Sequence, residues 1–189
     1  MAQNITSFYR VAQVRDFARQ FQFRLVRFGN TGFTEDDLVY VETASLPGRQ
    51  ITNQTVPYMG LPFNIPGTAT YPGSTGYTVT FRCDQRYDIR NVLEQNTFQT
   101  FNDNTSTGDY NTPSDSSVLI MQLFDKDMTT ISEYTMYGAY IVSVADSAYN
   151  VADSGTIVTV PVTLAYQFWR KTNLRRPFSV SATRRRGNR

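Results

Sequence analysis

The 189-residue chain carries 18 basic and 16 acidic side chains, no histidine and one cysteine. A chain of this size forms one domain and buries roughly two-thirds of its unfolded surface without disulfide staples. Without histidine, imidazole general catalysis, the commonest zinc ligand and the usual hydrolase constellations are excluded, so no enzyme, metal or cofactor is expected.

No apolar run of about 18 residues and no charged-then-apolar leader is present, which predicts neither a membrane anchor nor a secretory signal. Without such a signal, the Asn-x-Ser/Thr sequons at Asn4, Asn53 and Asn104 are chance matches. Charge is unevenly placed. Arg170 to Arg189 hold eight bases and no acid, which leaves ten bases against sixteen acids in residues 1–169. The body is acidic and the tail strongly basic, a statement about partners and not about fold.

In chain order, residues 1–16 place Phe8, Val11 and Val14 at loosely helical spacing and read as an arm that packs on something. Phe21, Phe23 and Leu25 alternate with Gln22 and Arg24, a strand that closes at Gly29-Asn30. A second strand is expected from Leu38 to about Ser45, stopped by Leu46-Pro47-Gly48. Glu35, Asp36 and Asp37 fall in the connection, where a solvated turn is a better reading than a metal site. Residues 46–75 are rich in Pro, Gly and Tyr but also hold Ile51, Val56, Tyr58, Met59, Leu61, Phe63 and Ile65. So long an excursion with that apolar content is expected to be a hairpin reaching a partner, against the alternative of a loop folded back on its own barrel.

Next, Tyr77, Val79, Phe81 and Cys83 alternate with Thr78, Thr80 and Arg82, the period of a half-buried strand, with Cys83 as packing. Asp84 then reads as the N-cap of the one convincing helix, Asp84 to Asn96, with Ile89, Val92 and Leu93 on its apolar side. Residues 102–117 form a polar loop. Strands are expected at Val118 to Phe124, from about Ile131 to Ala145, and from Thr156 to Trp169, with Asp125-Lys126-Asp127 as an ordinary turn. The last strand sets Val158, Val160, Val162, Leu164, Tyr166 and Phe168 on one face and Thr159, Pro161, Thr163, Ala165 and Gln167 on the other. A nearly uncharged threonine face is either an ordinary solvent face or a surface along which something slides without sticking.

Taken together, these elements resemble the tail tube proteins of contractile-tailed bacteriophages. The landmarks are Phe21-Gln22-Phe23-Arg24-Leu25, Ala44-Ser45-Leu46-Pro47-Gly48, Val56-Pro57-Tyr58-Met59-Gly60, Tyr77-Thr78-Val79-Thr80-Phe81 before the acidic-capped helix, Tyr137-Gly138-Ala139-Tyr140, and Val160 to Trp169. The resemblance implies a mainly β fold, an antiparallel β-barrel or sandwich with one flanking α-helix. It divides the chain into an N-terminal arm (1–16), a tube domain (17–170) with its excursion at 46–75, and a basic extension (171–189). It further implies hexameric rings stacked into a conduit for DNA, guiding a sheath and driven through the host envelope on contraction. Partners would be other copies of the chain, the tail sheath protein, baseplate and terminator proteins, and a tape measure protein and DNA in the lumen. The protein would sit in the virion tail after assembly in the host cytoplasm.

Inter-subunit candidates are Val56, Tyr58, Met59, Leu61 and Phe63 of the excursion. The basic extension departs from the family pattern and is expected to dock on a neighbouring subunit through Phe178, Val180, Arg184, Arg185 and Arg186, against the alternative of contact with nucleic acid or another tail component. The lumen candidates are Thr78, Thr80, Thr159 and Thr163. An acidic body with uncharged threonine faces would let a polyanion pass, because cations that neutralise phosphates would hold it. Arg82, on the same face, is expected to be paired with an acid or placed at the rim. Two close variants share the fold: the tube of a non-viral contractile injection system, and a tube-initiating baseplate protein. A different class is a β-barrel that binds single-stranded nucleic acid, but its aromatics would have to stand beside Lys and Arg instead of alternating onto apolar faces.

Overall fold

A computed structural model describes residues 4–14, 17–29, 31–108, 116–152 and 155–173. In chain order the elements are α1 (Ile5–Val14), β1 (Phe23–Gly29), α2 (Glu35–Leu38), β2 (Val41–Ala44), β3 (Gln50–Tyr58), β4 (Leu61–Thr70), β5 (Tyr77–Arg82), α3 (Asp88–Thr100), β6 (Phe101–Asn102), β7 (Thr107–Gly108), β8 (Val118–Phe124), β9 (Thr130–Tyr137), β10 (Tyr140–Val144), β11 (Thr159–Ala165) and β12 (Phe168–Asn173). Strand content dominates and all pairings are antiparallel, so the expected mainly β fold with one main helix holds.

Two four-stranded sheets carry the core, one in the order β1-β8-β9-β12 and the other β10-β11-β5-β2. Pointing inward are Leu25, Phe28, Leu119, Met121 and Met136 from the first, where an irregularity between Leu25 and Arg27 resets the alternation of β1, and Tyr77, Val79, Phe81, Val160, Val162 and Leu164 at period two from the second. At the centre, Phe81 meets Phe28 edge-on with ring centroids 5.1 Å apart and Phe33 at 5.8 Å. Phe81 and Phe28, both fully buried, each contribute about 1.5–3 kcal/mol from area alone. Helix α3 adds Ile89 and Leu93 to this core and lies along β10.

Several elements depart from the sequence expectation for local physical reasons. The acidic trio forms α2, because Thr34 and Asp37 make a reciprocal capping box and three carboxylates favour the positive end of a helix. The strand after it is therefore shorter, Val41–Ala44. Asp84 does cap α3, but from outside it. Its carboxylate accepts from the backbone amides of Arg86 (3.1 Å) and Ile89 (3.3 Å), while the N-cap position itself is Tyr87 with left-handed φ of 58°.

Two strands read as continuous are broken. The expected Ile131–Ala145 strand leaves the first sheet at Gly138, φ 64°, and re-enters the second as β10. Likewise the expected Thr156–Trp169 strand becomes β11 in one sheet and β12 in the other, switching at Tyr166-Gln167. A switch of sheet turns the alternation over. Tyr166 is buried in the core with Val160, as expected, but Phe168 points to the outside of the first sheet and leaves that face. Pro161 is tolerated inside β11 because its nitrogen and its carbonyl, which accepts from Ala145, face the side where β10 has just ended, so the missing N–H costs at most the terminal rung of that ladder.

Candidate functional site

Three surfaces stand out, and none has the concave, polar-lined form of a catalytic centre. Among the described residues no group of three His, Cys, Asp or Glu is placed to hold a metal. No helix there is long and apolar enough to cross a membrane.

The first surface is the side of the β10-β11-β5-β2 sheet turned away from the core. Register places Thr78 opposite Thr163, Thr80 opposite Pro161 and Thr43, and Arg82 opposite Thr159. All four threonines singled out from the sequence thus share one face, which also gathers Thr43, Pro161 and Ser143. Its charges are Arg82 and Glu42, paired at 3.6 Å at one end of the sheet. Glu42 follows from the pairing of β2 with β5 and had no signal in the sequence. Strands β10 and β2 are the two edges of this sheet. Unpaired edges of this kind invite strand addition from another chain.

The second surface is the β3–β4 hairpin. Its tip is a two-residue turn in which Met59 (φ 48°) and Gly60 (φ 79°) are both left-handed, the geometry that matches hairpin twist. Register sets Val56 opposite Phe63, Tyr58 opposite Leu61 and Gln54 opposite Ile65. Because side chains alternate, those six share one face, and Thr55, Asn64, Pro57, Pro62, Asn53 and Pro66 share the other. Tyr58 and Phe63 touch diagonally across the apolar face, ring centroids 6.3 Å apart. Yet every β4 residue is exposed, with Leu61 at 64%, and Met59 of the turn is exposed at 86%. An uncovered two-stranded hairpin is marginal in water, so an apolar face on it implies a cover supplied from elsewhere. Its base is tied to the body, where the Trp169 indole N–H donates to the Gly48 carbonyl (2.8 Å) and the ring packs on Tyr71. Ile65 belongs to this face and was visible in the sequence only as part of the segment's general apolar content.

The third is α1, whose Ile5, Phe8, Tyr9 and Val11 are all exposed. The Asn4 carboxamide caps it by accepting from the backbone N–H of Ser7, and Phe8 stacks on Phe17. The tail candidates Phe178, Val180, Arg184, Arg185 and Arg186 lie outside the described residues.

Cys83 lies against the core, and burial raises its thiol above the ordinary range, more than Arg90 lowers it. That is the behaviour of a packing residue and not of an activated nucleophile. Tyr77, also pushed up by burial, donates to the Ser45 carbonyl and thereby ties the strand to the turn that precedes the hairpin.

The family model described as "Phage tail tube protein" matches residues 6–172. No curated protein sequence matches significantly. Among solved structures, a chain of the anti-feeding prophage tube-terminating cap is similar at 12% identity with a TM-score of 0.54, covering 84% of this chain and 93% of that one. A chain of the anti-feeding prophage baseplate, solved with six-fold symmetrisation, is similar at 11% identity with a TM-score of 0.52, covering 70% and 80%. At such identities the likeness to these two is one of fold.

Proposed function

The chain belongs to the phage tail tube protein family and is a structural subunit of a tube; we propose that six copies close into a ring through the edges of the β10-β11-β5-β2 sheet. The threonine face then lines the lumen, and the rings stack through the hairpins. Six four-stranded sheets joined edge to edge make a barrel of about 24 strands. With strands ~4.8 Å apart and tilted by ~40°, its Cα diameter is roughly 50 Å and its bore roughly 40 Å, wide enough for duplex DNA. The observation that carries this reading is the co-facial arrangement of Thr78, Thr80, Thr163 and Pro161 between two unpaired sheet edges.

The mechanism is passive and has no catalytic step. The tube guides assembly of the sheath around it, encloses a tape measure protein and later the DNA, and is driven through the host envelope. It is built in the host cytoplasm and ends in the tail of the virion. Pairing of Arg82 with Glu42 keeps each ring from presenting a bare ring of cations to passing phosphates. Docking of the basic extension on a neighbouring subunit completes the contacts between copies.

Electron microscopy of the purified full chain, or of particles that contain it, is expected to show stacked rings with an open lumen. Monomers under all conditions, with no particle association, overturn the proposal. A second reading, a subunit confined to the end of a tube, is favoured by the fold likeness to cap and baseplate chains. Antibody labelling along the whole tube excludes that reading, and labelling at the ends alone establishes it.

A further inference from the structure

The side of the β1-β8-β9-β12 sheet turned away from the core differs in kind from the threonine face. Register and contacts place Arg24, Arg27 and Arg170 on it, together with Ile120, Phe124, Tyr137 and Phe168. All three arginines are exposed, and among the described residues none of them has a carboxylate within ion-pair distance. The one acid within the sheet face, Glu133, accepts from the Gln122 amide at 2.9 Å, and Gln122 in turn accepts from Arg24 at 3.4 Å. Asp125 and Asp127 stand only on the turn at one end, where Asp125 accepts from the backbone amides of Asp127 and Thr129. Beyond Asn173, the end of the outermost strand of this sheet, the sequence adds six more arginines and no acid.

Two of the three guanidinium groups lie against aromatic rings, while that of Arg27 donates to the Ser116 carbonyl at 2.8 Å. Arg170 lies over both Tyr137 (5.9 Å) and Phe168 (5.7 Å), and those two rings are themselves stacked at 5.0 Å. Arg24 lies over Phe124 at 5.8 Å. Ring stacking at Arg24 and Arg170, and the carbonyl contact at Arg27, leave each exposed guanidinium with less freedom to lose on binding, which suits carboxylate oxygens. It also occupies the ring faces on which unpaired bases would otherwise stack, which disfavours single-stranded nucleic acid.

We propose that this face docks an acidic, partly apolar segment of the protein that encases the tube, with Arg24, Arg27 and Arg170 as its anchors. The inference rests on the tube reading, because only when the threonine face lines the lumen does this sheet form the outside. Carboxylates of the partner pair with the three forks while its apolar residues cover Ile120 and Phe168.

The test uses the full chain and the triple variant R24E/R27E/R170E, each co-expressed with the contractile sheath protein of the same particle. Wild-type tubes are expected to be encased, and variant tubes to form normally but remain bare. In parallel, a fluorescent Glu/Leu peptide and a duplex oligonucleotide of equal charge are titrated onto both. Affinity for the peptide is expected to fall about tenfold or more in the variant. Encased variant tubes overturn the proposal. Loss of tubes in the variant alone overturns it too, by making the face a contact between copies of this chain. An oligonucleotide that binds more tightly than the peptide, with the same dependence on the arginines, overturns it in favour of nucleic acid. If the wild type forms no tubes, the tube reading fails, and the peptide titration by itself then upholds or overturns the acidic-segment surface.

Discussion

Asp84 shows how one side chain sets an element without standing at its formal end. Burial pushes its carboxyl up, but the backbone amides of Ile89, Asp88, Arg86 and Asp84 itself outweigh this and hold it below the usual carboxylate range. A depressed folded value means that the stabilisation is complete above the unfolded pKa of about 3.9 and is lost as pH falls through the folded value. Asp84→Ala is expected to cost about 1 kcal/mol, as loss of a capping side chain does. For a domain of this size that lowers Tm by about 2–4 °C. Measured by calorimetry at pH 7, the loss should be present; as pH falls through the depressed folded value the variant and the wild type should converge. The type of residue was readable in the sequence, since an Asp before an apolar 3.6-residue period signals a helix start. Its position outside the helix was not, because left-handed Tyr87 inserts a turn that no local pattern announces.

At the scale of elements, the hairpin and the two sheet-switching strands carry the most weight. Tyr58→Glu with Phe63→Glu places two carboxylates on an exposed apolar face. Unfolding of the isolated subunit should change by less than about 0.5 kcal/mol, as exposed substitutions usually do. Sedimentation and electron microscopy should nevertheless show loss of assembly; tubes of normal length would remove the hairpin from the interface. Gly138→Ala acts in the opposite way. A left-handed φ of 64° at the corner between β9 and β10 strains any Cβ-bearing residue by about 1 kcal/mol or more. That variant is expected to lower the Tm of the subunit while any rings that form keep their shape. The hairpin was legible because proline, glycine and alternating apolar residues are local signals. The corners were not. A strand that changes sheet keeps its alternation on paper, and only the partner strands reveal that its faces have exchanged.

For the whole molecule, two faces of one sandwich are chemically opposite: a threonine face with one ion pair, and an arginine–aromatic face. If the first lines a conduit, adding charge there should disturb passage and not assembly. Thr78→Arg with Thr163→Arg is expected to give tails of normal morphology whose particles lose infectivity, with the defect relieved by raised salt that screens phosphate binding. Glu42→Gln, which strips Arg82 of its partner, should behave the same way in milder form. An exposed pair of this kind contributes only about 0–1 kcal/mol, so Tm should scarcely move. Infectivity unchanged in both variants would take the threonine face out of the lumen.

Several properties followed from the sequence alone, because they depend on residue type and near-neighbour spacing. These are the mainly β class, the strand–helix unit built on Tyr77–Phe81 and Ile89–Leu93, the hairpin, and the exclusion of imidazole chemistry by a chain without histidine. The four threonines could also be picked out, since period two assigns each to the side of its strand opposite the valines. Tertiary structure decided which strands lie beside which. Only the β2–β5 pairing brings Glu42 to Arg82, and only the pairing of β1, β8, β9 and β12 gathers Arg24, Arg27 and Arg170 onto one surface. Residues 3 to 146 positions apart in the chain form that surface, and the register that unites them is set by burial of the opposite face, a long-range condition that no local window of sequence contains.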